Sequence, residues 1–80
     1  MWYVFRKMTE TKNSILYAYG FESEETTGQF EYDKSSEETR ILKFSDKHTE
    51  EVRNIKHFNF TVYKLIHKYG APDERMIAYG

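Results

Sequence analysis

The 80 residues contain no cysteine, one proline and four glycines. Without cysteine there is no disulfide framework, no thiolate zinc site, no thioredoxin-type chemistry and no sulfur nucleophile. With so little glycine and proline there is no phosphate-cradling glycine loop, no low-complexity tract and no internal linker. No apolar run approaches the roughly 20 residues that span a bilayer. The start, Met1-Trp2-Tyr3-Val4-Phe5-Arg6-Lys7, lacks the basic segment, long apolar core and small-residue cleavage site of a secretory signal. A cytoplasmic location without membrane attachment is the expectation. Asn59-Phe60-Thr61 fits the glycosylation acceptor pattern but lies in an expected helix with no secretory signal, so it reads as chance. Neither sign of charge dominates: the net charge is −1, which provides no global cationic field for nucleic acid.

Aliphatic residues are scarce too, with only three leucines, but seven Tyr and six Phe replace them. Each aromatic buries roughly 150–250 Å², enough to give so short a chain a core. The length allows one domain, residues 1–80, since domains usually run to about 100–150 residues. Residues 2–8 are largely apolar and aromatic with no breaker inside and fit a strand, and 14–21 alternate Ile15, Tyr17, Tyr19 and Phe21 against Leu16, Ala18 and Gly20. Residues 29–33 and 39–44 continue that period of two, with Leu42 and Phe44 in phase, and polar turns separate the runs. Small residues at Ala18 and Gly20 indicate that something packs closely there.

The period then lengthens. Val52, Ile55, Phe58, Val62, Leu65, Ile66 and Tyr69 recur at helical spacing, which predicts one helix over 46–69 capped by Ser45 or Asp46. Gly70 should supply a left-handed cap and Pro72 should block continuation. Residues 75–79 suit a short fifth strand. The fold expected is α+β: a four- to five-stranded antiparallel meander with one long C-terminal helix across one face.

No catalytic signature is present. Ser45, Asp46 and His48 are too close in the chain to form a relay about one imidazole, and His48, His57 and His67 point in different directions on a helix. The acidic clusters Glu22/Glu24/Glu25 and Glu37/Glu38 fall in turns and read as solvated. No enzyme, cofactor, metal or small-molecule ligand is indicated. Charge is nevertheless segregated: residues 21–46 carry eight acids against three bases, and 47–69 carry five bases against two acids. On a helical wheel Arg53, His57, Thr61, Lys64 and Lys68 cluster opposite a stripe centred on Val62. Phe60 lies about 160° from Val62 on that wheel, flanked by Lys56, His57, Lys64 and His67, and should be exposed. An aromatic ringed by cations has the composition of a binding hot spot. Aromatics on both phases of the strands also suggest an uncovered aromatic sheet face suited to a dimer.

The expectation is a small non-enzymatic module that docks on another protein, or on a second copy of itself, in a regulatory role of inhibitor or immunity type. Arg53, His57, Phe60, Lys64, His67 and Lys68 are its candidate binding residues. The alternative is weak nucleic-acid binding in which the basic helix face contacts phosphates.

Overall fold

In a computed structural model that describes residues 1–79, five antiparallel strands form one sheet. They are β1 (Trp2–Glu10), β2 (Ser14–Phe21), β3 (Gly28–Asp33), β4 (Glu38–Lys43) and β5 (Glu74–Ala78), in the spatial order β4-β3-β2-β1-β5. The first four are a meander, and β5 returns to the free edge of β1. The α+β class and the antiparallel sheet are thus as the period-two runs indicate, and the 75–79 segment pairs in the sheet at Glu74–Ala78.

Register decides which aromatics are buried. Tyr3 pairs with Phe21, Phe5 with Tyr19, Tyr17 with Phe30 and Ile15 with Tyr32. All of these side chains fall on one face, and all are buried there beneath Phe58, Val62 and Leu65. The expectation of aromatics on both faces is therefore corrected. Among the strand aromatics only Trp2 has the opposite phase, because residues paired across neighbouring strands share a face. In β4 it is Ile41, paired with Phe30, that turns toward the core, while Leu42 is exposed. The register Asp33↔Glu38 through Phe30↔Ile41 sets this phase, an irregularity follows between Phe30 and Gln29, and β4 ends before Phe44.

On the other face the loop after β2 folds back across the sheet. A Cβ on Gly20 would strike the carbonyl oxygen of Ser23 and approach that of Glu25 to 2.6 Å. The close packing expected at this glycine is the backbone of the acidic turn itself. Arg6 fastens it, donating to the Glu24 carbonyl at 3.0 Å and pairing with Glu74 at 3.2 Å.

The helix is much shorter than the periodicity predicts. α1 covers Ile55–Tyr63 and runs on as one wider π turn over Lys64–Lys68, so residues 46–54 are not helical. They fold as two separate turns, His48 N donating to Ser45 O and Arg53 N to Thr49 O. The reason is tertiary. His48 is fully buried, its ring stacked on Phe21 with centroids 4.6 Å apart and in edge contact with Phe44. A helix starting at Asp46 would not deliver it there. The cap is accordingly Asn54, whose side chain accepts from His57 N at 3.0 Å, and not Ser45 or Asp46. At the far end Gly70 takes φ +74° and Ala71 N donates to Leu65 O at 3.0 Å, the closure expected of a glycine cap. No helix among the described residues is long and apolar enough to cross a membrane.

Candidate functional site

The buried stripe of α1 and its π turn is Phe58, Thr61, Val62 and Leu65. These positions at i, i+3, i+4 and i+7 fix the helix rotation and leave Lys56, Asn59, Phe60, Tyr63 and His67 on the outer side. Phe60 is 55% exposed and Tyr63 54%, and Ile55, in the first turn and in line with Val62, is also exposed. The exposure of Phe60 agrees with the wheel, but the basic rail does not form. Thr61 is fully buried, donating to His57 O at 2.9 Å and meeting the Tyr79 hydroxyl at 3.0 Å. Arg53 precedes the helix, lays its guanidinium 3.6 Å from the Phe44 ring centroid, and donates to His48 O at 2.6 Å. The His57 ring rests edge-on against Tyr79, with centroids 4.5 Å apart. Lys64 spreads over Tyr79 and Phe60, and Lys68 over Tyr69. The wheel erred because it counted helical turns from residue 46, whereas Val52 lies outside the helix and Ile55, in its first turn, is exposed rather than buried.

His67 leads to the second feature of this face. Its Nε2 lies 3.1 Å from the Tyr32 hydroxyl on β3 and 3.0 Å from Glu37 Oε1 in the β3–β4 turn. The Tyr63 ring, one helical turn earlier, packs on the imidazole with centroids 4.3 Å apart. Between helix and turn runs an open groove of about 300 Å³ lined by Tyr32, Glu37, Glu38, Thr39, Asn59 and Tyr63. It exists because the helix lies over β1, β2 and β3 and leaves the covered side of β4 without a lid.

The turn that carries Glu37 is built by Asp33. Its Oδ1 accepts from the backbone N–H groups of Ser35 and Ser36, both at 2.9 Å, and from the Ser35 hydroxyl at 2.8 Å. The Ser36 amide, followed by the Ser35 hydroxyl, holds this carboxyl below its usual range. Glu37 then adopts φ +59°, with its N–H donating to Asp33 O. Glycine is the usual occupant of such a hairpin position, and a glutamate there is held against its preference. Burial, followed by the charge of Glu37, raises the Tyr32 phenol, which stays protonated as a hydrogen-bonding group at neutral pH.

Of the candidate residues, then, Phe60 and His67 share the outer face, Lys64 borders it, and Arg53, His57 and Lys68 are engaged elsewhere. Glu37, Glu38, Tyr32 and Tyr63 are brought to the groove without having been singled out, the two glutamates having read as a solvated turn. Tyr63 and His67 at i, i+4 were the one local signal, since such residues are neighbours on a helix. Among the described residues no three His, Cys, Asp or Glu side chains gather as a metal-ligand set. Comparison with protein-family models, with curated proteins and with solved structures returns no match.

Proposed function

We propose that the chain is a non-enzymatic docking module that engages another protein through the outer face of α1. The supporting observation is that Phe60 and Tyr63, two large aromatic side chains at i, i+3 on the outer side of one nine-residue helix, stand open to solvent. Holding them there leaves about 25 cal/mol unrecovered for every Å² of apolar surface that a partner would cover. Aromatic residues with cations at the rim are also the groups that dominate interface energies. Lys56 and Lys64 flank Phe60 here, and the acidic turn closes the other side of the face. Arg53 before the helix lies over Phe44, Lys64 over Phe60 and Tyr79, and Lys68 over Tyr69, a dispersal that disfavours a phosphate-tracking stripe.

The test is affinity capture of the tagged protein from its native lysate, with and without nuclease, followed by affinity measurement on the recovered partner. A stoichiometric, nuclease-resistant partner is expected, with Phe60→Ala weakening it by about 2 kcal/mol, roughly 30-fold in Kd. Folding stability should move by no more than about 0.5 kcal/mol, as for other exposed positions. Equal affinity of wild type and variant would sink the proposal. So would nuclease-sensitive recovery of many unrelated proteins, which would point to nucleic acid, or recovery of the chain alone, which would point to a homodimer.

A further inference from the structure

The sheet has two open edges, and that of β5 is left unguarded. Tyr79 N donates to Met1 O, the Met1 ammonium to Tyr79 O, and Lys7 N to Asp73 O. In an antiparallel pair, residues that bond to the neighbouring strand in this way recur at every second position. Asp73, Arg75, Ile77 and Tyr79 therefore direct their backbone groups to β1, and Glu74, Met76 and Ala78 turn theirs outward. β5 is the last strand of the sheet, so nothing pairs there among the described residues. Charged side chains usually protect such an edge. Here both are held aside: Glu74 reaches Arg6 on β1 at 3.2 Å, and the Arg75 guanidinium carbon lies 3.6 Å from the Tyr69 ring centroid. Met76, left between them, is 61% exposed, the most open large apolar side chain of the described residues.

The helix side of this edge is cationic. Arg75 shares the face of Phe5, its partner in β1, and so lies on the side that the helix covers. Lys68 Nζ is 5.4 Å from the same Tyr69 ring, and Lys64 Nζ is 5.0 Å from the ring of Tyr79 beyond the other end of the strand. Partial burial works to raise the Tyr69 phenol. The charge of Lys68, a hydrogen bond from Arg75 and the charges of Lys64 and Arg75 outweigh it and hold the phenol below its ordinary value. Three cations thus bear on one place. None of them pairs with a carboxylate among the described residues, 55–68 contain no acid, and Asp73 turns to Lys7 at 3.8 Å. The opposite edge lacks this bias, since β4 carries Glu38 together with Arg40 and Lys43. A second copy is disfavoured, because two β5 edges side by side would bring like charges together.

We propose that the β5 edge receives an extended acidic segment of a partner protein as a sixth strand. The backbone of that segment bonds to Glu74, Met76 and Ala78, and its alternate side chains fall on the two faces of the sheet. Carboxylates on the helix side meet Arg75, Lys68 and Lys64, and apolar side chains on the other face cover Met76. The site is separate from the outer face of α1 and does not depend on it.

The experiment is amide NMR of the isotope-labelled protein titrated with the peptide acetyl-Thr-Glu-Val-Glu-Val-Glu-Thr-amide, and with its counterpart carrying glutamine for glutamate. Saturable shifts and slowed amide exchange at Glu74, Met76 and Ala78 are expected, with shifts at Lys64 and Lys68. The glutamine peptide should bind about tenfold more weakly or worse as charge-assisted contacts are lost, and added salt should weaken only the glutamate peptide. Met76→Pro deletes an N–H that faces solvent, so the ladder to β1 survives while the edge loses its central donor, and binding should fall by a similar factor. Equal binding of the glutamine peptide, shifts that do not saturate, or shifts at the lysines without protection of the three edge amides would overturn the assignment. So would an unchanged affinity of folded Met76→Pro. Should that variant fail to fold, combined Lys64→Gln and Lys68→Gln decides: weaker binding upholds the site and equal binding removes it. Slowed exchange of the same amides on concentrating the protein alone would give the edge to a second copy instead. Phe60→Ala should leave the peptide's affinity unchanged, and a loss would move the peptide to the helix face.

Discussion

His48 is the residue on which the short helix turns. Its Nδ1 lies 2.8 Å from the Tyr19 hydroxyl, which in turn accepts from Ser45 N at 3.1 Å. With Tyr19 donating to Nδ1, the imidazole proton resides on Nε2, a buried atom without a partner. Burial, followed by the nearby Arg53 charge, lowers this imidazole from its ordinary value of 6.5. The folded state resists a proton that the unfolded state takes up. Stability is therefore fully present above pH 6.5 and falls as pH drops below it, by at most about 1.4 kcal/mol per pH unit for one proton. Urea unfolding at pH 5 and pH 7 checks this. Wild type should be weaker at the lower pH, and His48→Gln, weaker at both, should lose most of that difference. Glu10 acts in a lower window, since hydrogen bonds from Lys34 and then Lys7 bring its carboxyl down to about 2, so its contribution fades only below about pH 4.5.

Among the elements, the β3–β4 turn and the helix start carry the clearest expectations. Glu37→Gly should relieve the left-handed strain and stabilise the fold by about 1 kcal/mol. A gain in melting temperature is expected, whereas a destabilised variant would show that the His67 contact outweighs the strain. Asn54→Ala should cost about 1 kcal/mol, because His57 N loses its only capping acceptor. An unchanged stability by thermal unfolding would mean that water caps this end equally well. The strands were legible from their alternation, and β2 matches its expected span residue for residue. The helix start was not, because the apolar spacing of Val52 and Ile55 continues smoothly through a segment that long-range contacts of His48 and Arg53 hold in turns.

At the scale of the molecule the core is a single aromatic cluster, and three of its phenols report on it together. Burial pushes Tyr3 up to about 12, and also raises Tyr17 and Tyr19. A phenol whose folded value exceeds its unfolded value of about 10 stabilises the fold below that pH and loses the contribution above it. Phenolate absorbance should therefore rise in two stages on alkaline titration, the exposed tyrosines first. The buried group should follow only as circular dichroism shows unfolding, and a single stage near pH 10 would mean that the core admits water. The chain ends meet at this scale too. Tyr79 N donates to Met1 O at 2.8 Å, and the Met1 ammonium donates to Tyr79 O at 3.2 Å, so the last strand is fastened to the first.

By itself the sequence determined what local patterns can encode. The α+β class, the strands, the glycine cap at Gly70 and the exposure of Phe60 all follow from periods of two and of 3.6 and from backbone preferences. Tertiary structure alone decided the rest. It placed the aromatics on one face, ended the helix at Asn54 instead of Asp46, and turned Thr61 inward. It also brought Glu37 and Tyr32 to His67 across 30 and 35 residues of chain. The physical reason is common to all of these: each depends on which distant residue lies opposite, and strand register together with the burial of one imidazole sets that, neither of which leaves a period in the sequence.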